Sequence, residues 1–259
     1  MRADSLPQPA QLGVSVLERA EAERLVAAEI AGLIRSRAPG EPGPVLGLAT
    51  GRSPVGVYRE LVRLHREEGL DFSRVRTFNL DEYRGLGRDH PRSFRRWMEG
   101  VLFEHVNLAP ESTCIPDGDV EAGELARHCA ALERRIAEAG GIDLQLLGLG
   151  RNGHIGFNEP GSPRDARTRL VELDALTRAD AAADFGSLEA VPTRAVTLGV
   201  ATILEARRIR VLAFGASKAE VVRRVLRSPV GPEVPATYLR DHPDARLLVD
   251  PAAAVGAVT

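Results

Sequence analysis

Short apolar runs rich in β-branched residues alternate with longer amphipathic stretches along nearly the whole chain, and this rhythm leaves few architectures open. PVLGLAT (residues 44–50), VRTFNL (75–80), DLQLLGLG (143–150), RAVTL (194–198), RIRVLAFG (208–215) and ARLLV (245–249) have the length and composition of strands. Between them, residues 55–68, 93–103, 121–139 and 218–226 carry apolar side chains at helical spacing. A further helix is expected ahead of the first strand, opened by a capping box from Ser15 to Glu18, with Val26, Ile30, Leu33 and Ile34 on one face and a stop at Pro39 and Gly40. Strands separated by helices pair in parallel through right-handed crossovers. The expected fold class is therefore α/β, a Rossmann-like doubly wound and mainly parallel sheet with helices on both faces. With 259 residues and 44% hydrophobic content the chain can bury a large core. One domain over residues 1–259 is expected, loosely ordered at 1–12 and 251–259.

Charge and cysteine usage remove several classes of partner. The 34 basic and 36 acidic side chains nearly cancel and form no block of one sign, which argues against nucleic acid or an anionic membrane. Cys114 and Cys129 make no disulfide framework and sit in no metal-binding spacing, so a structural zinc site is not expected, and no cofactor is expected either. MRADSLPQPAQLG at the start lacks an apolar signal core, and no later stretch reaches membrane-spanning length. A cytoplasmic protein is expected, with homo-oligomerisation left open.

In doubly wound sheets ligands bind beyond the carboxyl ends of the strands. Three loops there carry unusual chemistry. ATGRSP (49–54) offers Thr50, Gly51, Arg52 and Ser53 at a helix N-terminus, where backbone N–H groups, hydroxyls and a guanidinium suit a phosphate. Ser53 followed by Pro54 also satisfies the rule for a plain helix cap, and the loop alone does not decide between the two. It lacks the GK[ST] of a nucleotide loop, so any phosphate belongs to a small metabolite. FNLDEYRGL (78–86) sets Asp81 and Glu82 directly after a strand, where one carboxylate can be a general base, although most aspartates at strand ends are turn caps.

The third loop, LLGLGRNGHIGFNEPGS (146–162), spaces Gly148, Gly150 and Gly153 as GxGxxG. A dinucleotide loop needs a helix after the glycines. HIGFNEPGS has no helical period and contains Pro160, so that reading is rejected. The glycines instead allow close backbone approach to a ligand, and His154 and Glu159 bring an imidazole and a carboxylate suited to acid–base work.

Taken in order, LATGRSPVGVYREL, FNLDEYRGL with HPRSF after it, LGLGRNGHIGFNEPGS, RAVTLGVATIL and GASKA resemble the glucosamine-6-phosphate deaminase (isomerase) family from about Gly13 to Val249. The resemblance implies a metal-independent enzyme whose partner is a small amino-sugar 6-phosphate, converted to fructose 6-phosphate and ammonia. It implies that Asp81 moves the proton between C2 and C1, that His154 assists ring opening, and that Glu159 orients His154. It places Thr50, Gly51, Arg52, Ser53 and Lys218 on the phosphate.

Three departures bear on this reading. Asn152 stands where many members have an Asp beside the His. Ala181 and Ala183 stand near the positions of a lid Asn and Arg, and that Arg reaches the phosphate in the family, so Arg52 is expected to replace its charge. Arg169 matches an effector-site residue of some members, but Val171 stands where those have Lys, and activation by that route is not expected. The room left by the two alanines admits an alternative, elimination of the C3 hydroxyl from an N-acylated sugar phosphate by a dehydratase. A non-catalytic sugar-phosphate sensor is a further alternative. A lactonase of related fold is disfavoured by FNLDEY.

Overall fold

Every residue of the first long apolar run is buried, as befits a strand covered on both faces. In the computed structural model, which describes residues 12–38 and 40–258, that run is the second strand. In chain order the elements are β1 (Gly13–Val16), α1 (Arg19–Arg35), β2 (Val45–Leu48), α2 (Val55–Glu68), β3 (Arg76–Asn79), β4 (Asp81–Tyr83), α3 (Phe94–Val101), β5 (Thr113–Cys114), α4 (Leu125–Glu138) and β6 (Leu144–Gly148). They continue with β7 (Arg169–Glu172), α5 (Ala175–Phe185), β8 (Arg194–Thr197), α6 (Val200–Leu204), β9 (Ile209–Ala213), α7 (Ala219–Arg227), β10 (Ala245–Val249) and α8 (Pro251–Ala254).

Seven strands form one sheet in the order β1-β10-β9-β6-β2-β3-β5, and every pairing in it is parallel. Alternation along the strands divides the core in two. Val45, Leu147, Val211 and Leu247 face one side, under α7 and α8. Leu46, Leu48, Leu146, Leu212 and Leu248 face the other, against the apolar stripes of α1 and α2. The expected doubly wound α/β sheet with helices on both faces is what forms.

Four details differ from the sequence reading. Ser15 does not open a capping box. It pairs with Leu248 at the edge of β10, α1 starts at Arg19, and the side chain of Glu18 makes no cap bond. A strand edge offers Ser15's backbone a full ladder, which outweighs one hydroxyl cap. Pro39 lies outside the described residues. RAVTL becomes β8, which joins β4 and β7 in a separate antiparallel sheet rather than the parallel one. The end of the chain is not loose up to residue 258, because Asp250 caps α8 by accepting from the Ala253 N–H at 2.8 Å, and Ala253, Ala254 and Ala257 are buried. Leu12 is likewise buried, while residues 1–11 and 259 lie outside the described part.

The small sheet is glued to the main body by aromatic rings. Tyr83 of β4 stands with its ring centroid 4.9 Å from Phe94, 5.3 Å from Phe157 and 5.1 Å from Phe185. One residue thus locks the start of α3, the loop after β6 and the end of α5 together.

Candidate active site

The strand order reverses direction between β2 and β6: the chain goes from β2 outward to β3, and from β6 the other way to β9 and β10. The crevice at their carboxyl ends is the position at which such sheets bind ligands. The loops after β2, β3, β6 and β9 all open there, and they carry the residues singled out from the sequence.

At Leu80 the chain leaves the parallel sheet. Its N–H donates to Leu48 of β2 at 3.1 Å and its carbonyl accepts from Leu198 at 2.7 Å, which turns the next residues into β4. Strand alternation then sends the two adjacent carboxylates in opposite directions. Glu82 accepts from the backbone N–H of Arg95 at 3.2 Å and of Tyr83 at 2.9 Å, at the N-terminal end of α3. Asp81 faces the loop after β6: a Cβ built on Gly156 would lie 3.5 Å from its Oδ2. Burial, and then the charge of Glu82, push the Asp81 carboxyl up to about 8. Burial also lifts Glu82, to about 7, against the backbone N–H groups of Phe94, Arg95 and Tyr83. Glu82 thus serves the start of α3 beside its N-cap Ser93, which accepts the Arg96 N–H, and Asp81 is left as a buried carboxyl poised to take up a proton.

The loop after β6 is shaped by its glycines. A Cβ at Gly150 would sit 2.3 Å from the His154 ring, so the imidazole lies flat against this glycine. Gly153 takes φ +95°, a left-handed turn that brings His154 back over it. His154 Nδ1 is 3.2 Å from Glu159 Oε2 and 3.2 Å from the Thr177 hydroxyl of α5. Asn152 braces both partners, donating from Nδ2 to Glu159 Oε2 at 2.7 Å and accepting the His154 N–H on Oδ1 at 3.2 Å. The Asp174 N–H donates to the other Glu159 oxygen at 3.2 Å. Burial raises the Glu159 carboxyl, but His154, Thr177 and Asn152 outweigh it and hold the group below its ordinary range. The two carboxyls of this crevice are thus pushed apart, one toward the proton and one away from it. Only an amide at 152 can donate to Glu159 in this way; an aspartate there would oppose its charge.

The loop after β2 turns at Gly51, φ +96°. Ser53 does not cap α2: the cap position is Pro54, which makes no side-chain cap bond, and the Glu23 carboxylate packs against Gly56 in the first turn. Proline's fixed φ already starts the helix, which leaves the N–H groups of that turn open to a ligand. Arg52 projects outward with its side chain 81% exposed, 3.8 Å from Asp184 of α5. Lys218, in the turn before α7, donates to the Leu149 carbonyl at 2.6 Å, and burial pushes its ammonium down.

Several residues of the site escaped the sequence reading. Thr177, Asp180 and Asp184 come from α5, and Arg151 pairs with Asp180 through an Nε to Oδ2 bond of 2.9 Å. Asn158 accepts from Arg169 at 2.8 Å and donates to the carbonyls of Ile155 and Leu198 at 2.9 and 2.8 Å, which fixes the loop from behind. The only available signal for Thr177 was its place in an alanine-rich segment without a strong period. Among the described residues no group of three or more His, Cys, Asp and Glu side chains has metal-holding geometry, and no helix is long and apolar enough to cross a membrane.

Over residues 18–248 the chain matches the family of glucosamine-6-phosphate isomerases/6-phosphogluconolactonase. It is 51% identical over 227 residues to a glucosamine-6-phosphate deaminase of Rhodopirellula baltica, covering 88% of this chain and 90% of the relative. A Bacillus velezensis protein of the same name is 45% identical over 226 residues, covering 87% and 93%. The solved structure of a monomeric glucosamine-6-phosphate deaminase superposes with a TM-score of 0.88 at 41% identity, covering 94% of this chain and 99% of that one.

Proposed function

The chain belongs to the glucosamine-6-phosphate isomerase/6-phosphogluconolactonase family, and from that premise we propose how its own residues carry out the reaction. It is a glucosamine-6-phosphate deaminase, converting glucosamine 6-phosphate and water to fructose 6-phosphate and ammonia. The observation that carries the assignment of roles is that the buried Asp81 carboxyl abuts Gly156, in the loop that also bears His154 and Glu159. A carbon-acid base and a ring-opening imidazole thus meet across one short loop.

His154 moves a proton between the anomeric hydroxyl and the ring oxygen, which opens the sugar to its aldehyde. Glu159, ionised and held by Asn152, Thr177 and the Asp174 N–H, orients the ring and stabilises it when protonated. Asp81, once ionised, takes the proton from C2 and returns it to C1. The aldehyde becomes the C1 alcohol and the amine becomes an imine at C2. Water adds to that imine and ammonia leaves, giving the ketose. The phosphate is held by the open N–H groups of the α2 N-terminus, Thr50, Gly51, Ser53, Arg52 and Lys218. Every side chain in this account comes from one chain.

The test is to incubate the protein separately with glucosamine 6-phosphate and with its N-acetyl form, measuring ammonia and ultraviolet-absorbing enone. Ammonia from the free amine alone is expected. Enone from the N-acetyl sugar without ammonia from the amine would replace deamination by dehydration.

A further inference from the structure

Two arginines meet one turn of α5, and Lys218 stands on the next strand loop of the row. Arg52 follows β2, Arg151 follows β6 and Lys218 follows β9, and these strands lie side by side in the sheet in the order β9-β6-β2. Asp180 and Asp184 are four residues apart on α5, so both carboxylates lie on one face of the helix. Arg151 grips Asp180 with two prongs, Nε to Oδ2 at 2.9 Å and Nη2 to Oδ1. Arg52 stands 3.8 Å from Asp184. Lys218 stands on the third loop of the row, with its Nζ on the Leu149 carbonyl at 2.6 Å. The mouth of the crevice therefore already holds anions among its cations, and those anions are the protein's own.

We propose that Arg151 is a further phosphate ligand, and that Asp180 is its internal counter-ion, exchanged for the substrate's phosphate on binding. The proposal rests on the reading of residues 50–53 and Lys218 as the phosphate subsite. The fork that Arg151 offers Asp180 matches two phosphate oxygens equally well, and a dianion attracts it more strongly than a single carboxylate. Both partners have side chains 40% exposed, so the pair adds little to the fold and its exchange costs little. On α5 itself, Ala181 and Ala183 supply no cation, Arg178 is turned to the carbonyls of Leu188 and Val191 at 3.0 and 3.2 Å, and the face bearing Asp180 and Asp184 is acidic. The dianion's charge is then met from the strand loops, where Arg151 lies two residues after Leu149, whose carbonyl accepts from Lys218 at 2.6 Å.

Titration calorimetry with inorganic phosphate tests this without relying on turnover. Arg151→Ala is expected to weaken phosphate binding about tenfold, and Arg151→Lys, which keeps the charge but loses the fork, to weaken it less. Asp180→Asn is expected to tighten it several-fold, and the double variant Arg151→Ala/Asp180→Asn to bind like Arg151→Ala alone, because Asp180 acts through Arg151. The proposal is overturned by a phosphate affinity unchanged within about twofold in Arg151→Ala. It is equally overturned by an Asp180→Asn gain that survives in the double variant, which is a long-range field effect, or by no phosphate binding to the parent protein. The two readings fail separately. If the parent binds phosphate through Arg151 but releases no ammonia from glucosamine 6-phosphate, the deaminase reading falls; if ammonia is released and Arg151→Ala changes neither KM nor phosphate affinity, only the role of Arg151 falls.

Discussion

Replacing Asp81 by Asn separates function from stability in opposite directions. The carboxyl is held at about 8 in the fold against an ordinary 3.8, so between those values the folded protein binds a proton that the unfolded chain has released. Stability is therefore complete below about pH 4 and is lost as pH rises toward 8. At about 1.4 kcal/mol per pH unit the loss reaches a ceiling of about 6 kcal/mol above pH 8, and about 4 kcal/mol at pH 7. Asn keeps the shape and never ionises, so Asp81→Asn is expected to match the parent near pH 4 and to exceed it progressively up to pH 8. In thermal melts this corresponds to a Tm gain on the order of 10 °C at pH 7 for a domain of this size. Turnover by the same variant should fall by about 10²- to 10⁴-fold, the contribution of a positioned base. The parent's own kcat/KM should rise about tenfold from pH 7 to 9 as the base ionises. A variant that is less stable than the parent at pH 8, or whose stability difference does not vary with pH, refutes the account of Asp81 as a buried carboxyl spared for catalysis.

Glu82→Gln removes the neighbouring charge that raises Asp81, so the acid limb of the kcat/KM profile should move to lower pH; an unmoved limb assigns Glu82 to the start of α3 alone. Gly150→Ala would place a methyl 2.3 Å from the His154 ring, displacing the imidazole, and His154→Gln removes it; both should slow reaction from the cyclic sugar far more than C2 proton exchange in an open-chain analogue. Equal loss on both substrates would move the imidazole into the carbon chemistry. Arg52→Ala should weaken binding of the 6-phosphate sugar about tenfold, the lower end for a charge-assisted contact because the guanidinium is 81% exposed, with the unphosphorylated sugar unaffected; equal weakening of both makes Arg52 a structural residue.

The parts of the fold that are legible in the sequence are those buried on both faces. β2 and β9 are buried at every position, and apart from Arg210, whose charge is met by Glu29 and Asp244, such strands leave an apolar run that composition alone picks out. β1 and β7, by contrast, are half-exposed at their first three residues and exposed at the fourth. An edge strand with that profile has neither an apolar run nor clean alternation, and its existence depends on the partner that needs an edge. β4 is three residues long and is created by the turn at Leu80. For the same reason β8 was visible as a strand while its antiparallel sheet was not, because the partners on either side of it were the illegible ones.

The site follows a similar division, with one reversal of sign. Asp81 is recognisable because it directly follows a strand, and Asn152, His154 and Glu159 because a glycine-rich turn gathers them within eight residues of one another. Which of Asp81 and Glu82 faces the crevice is a matter of tertiary packing, decided by α3 offering its N-terminus to Glu82. Thr177 reaches His154 from an α5 whose far end is held edge-on to Tyr83 through Phe185. The alanines at 181 and 183 read in sequence as a cation lost from that helix. In three dimensions the same helix turns Asp180 and Asp184 toward Arg151 and Arg52, while its own Arg178 is spent on the Leu188 and Val191 carbonyls, so the face that meets the strand loops is opposite in sign to the one the missing arginine would have given.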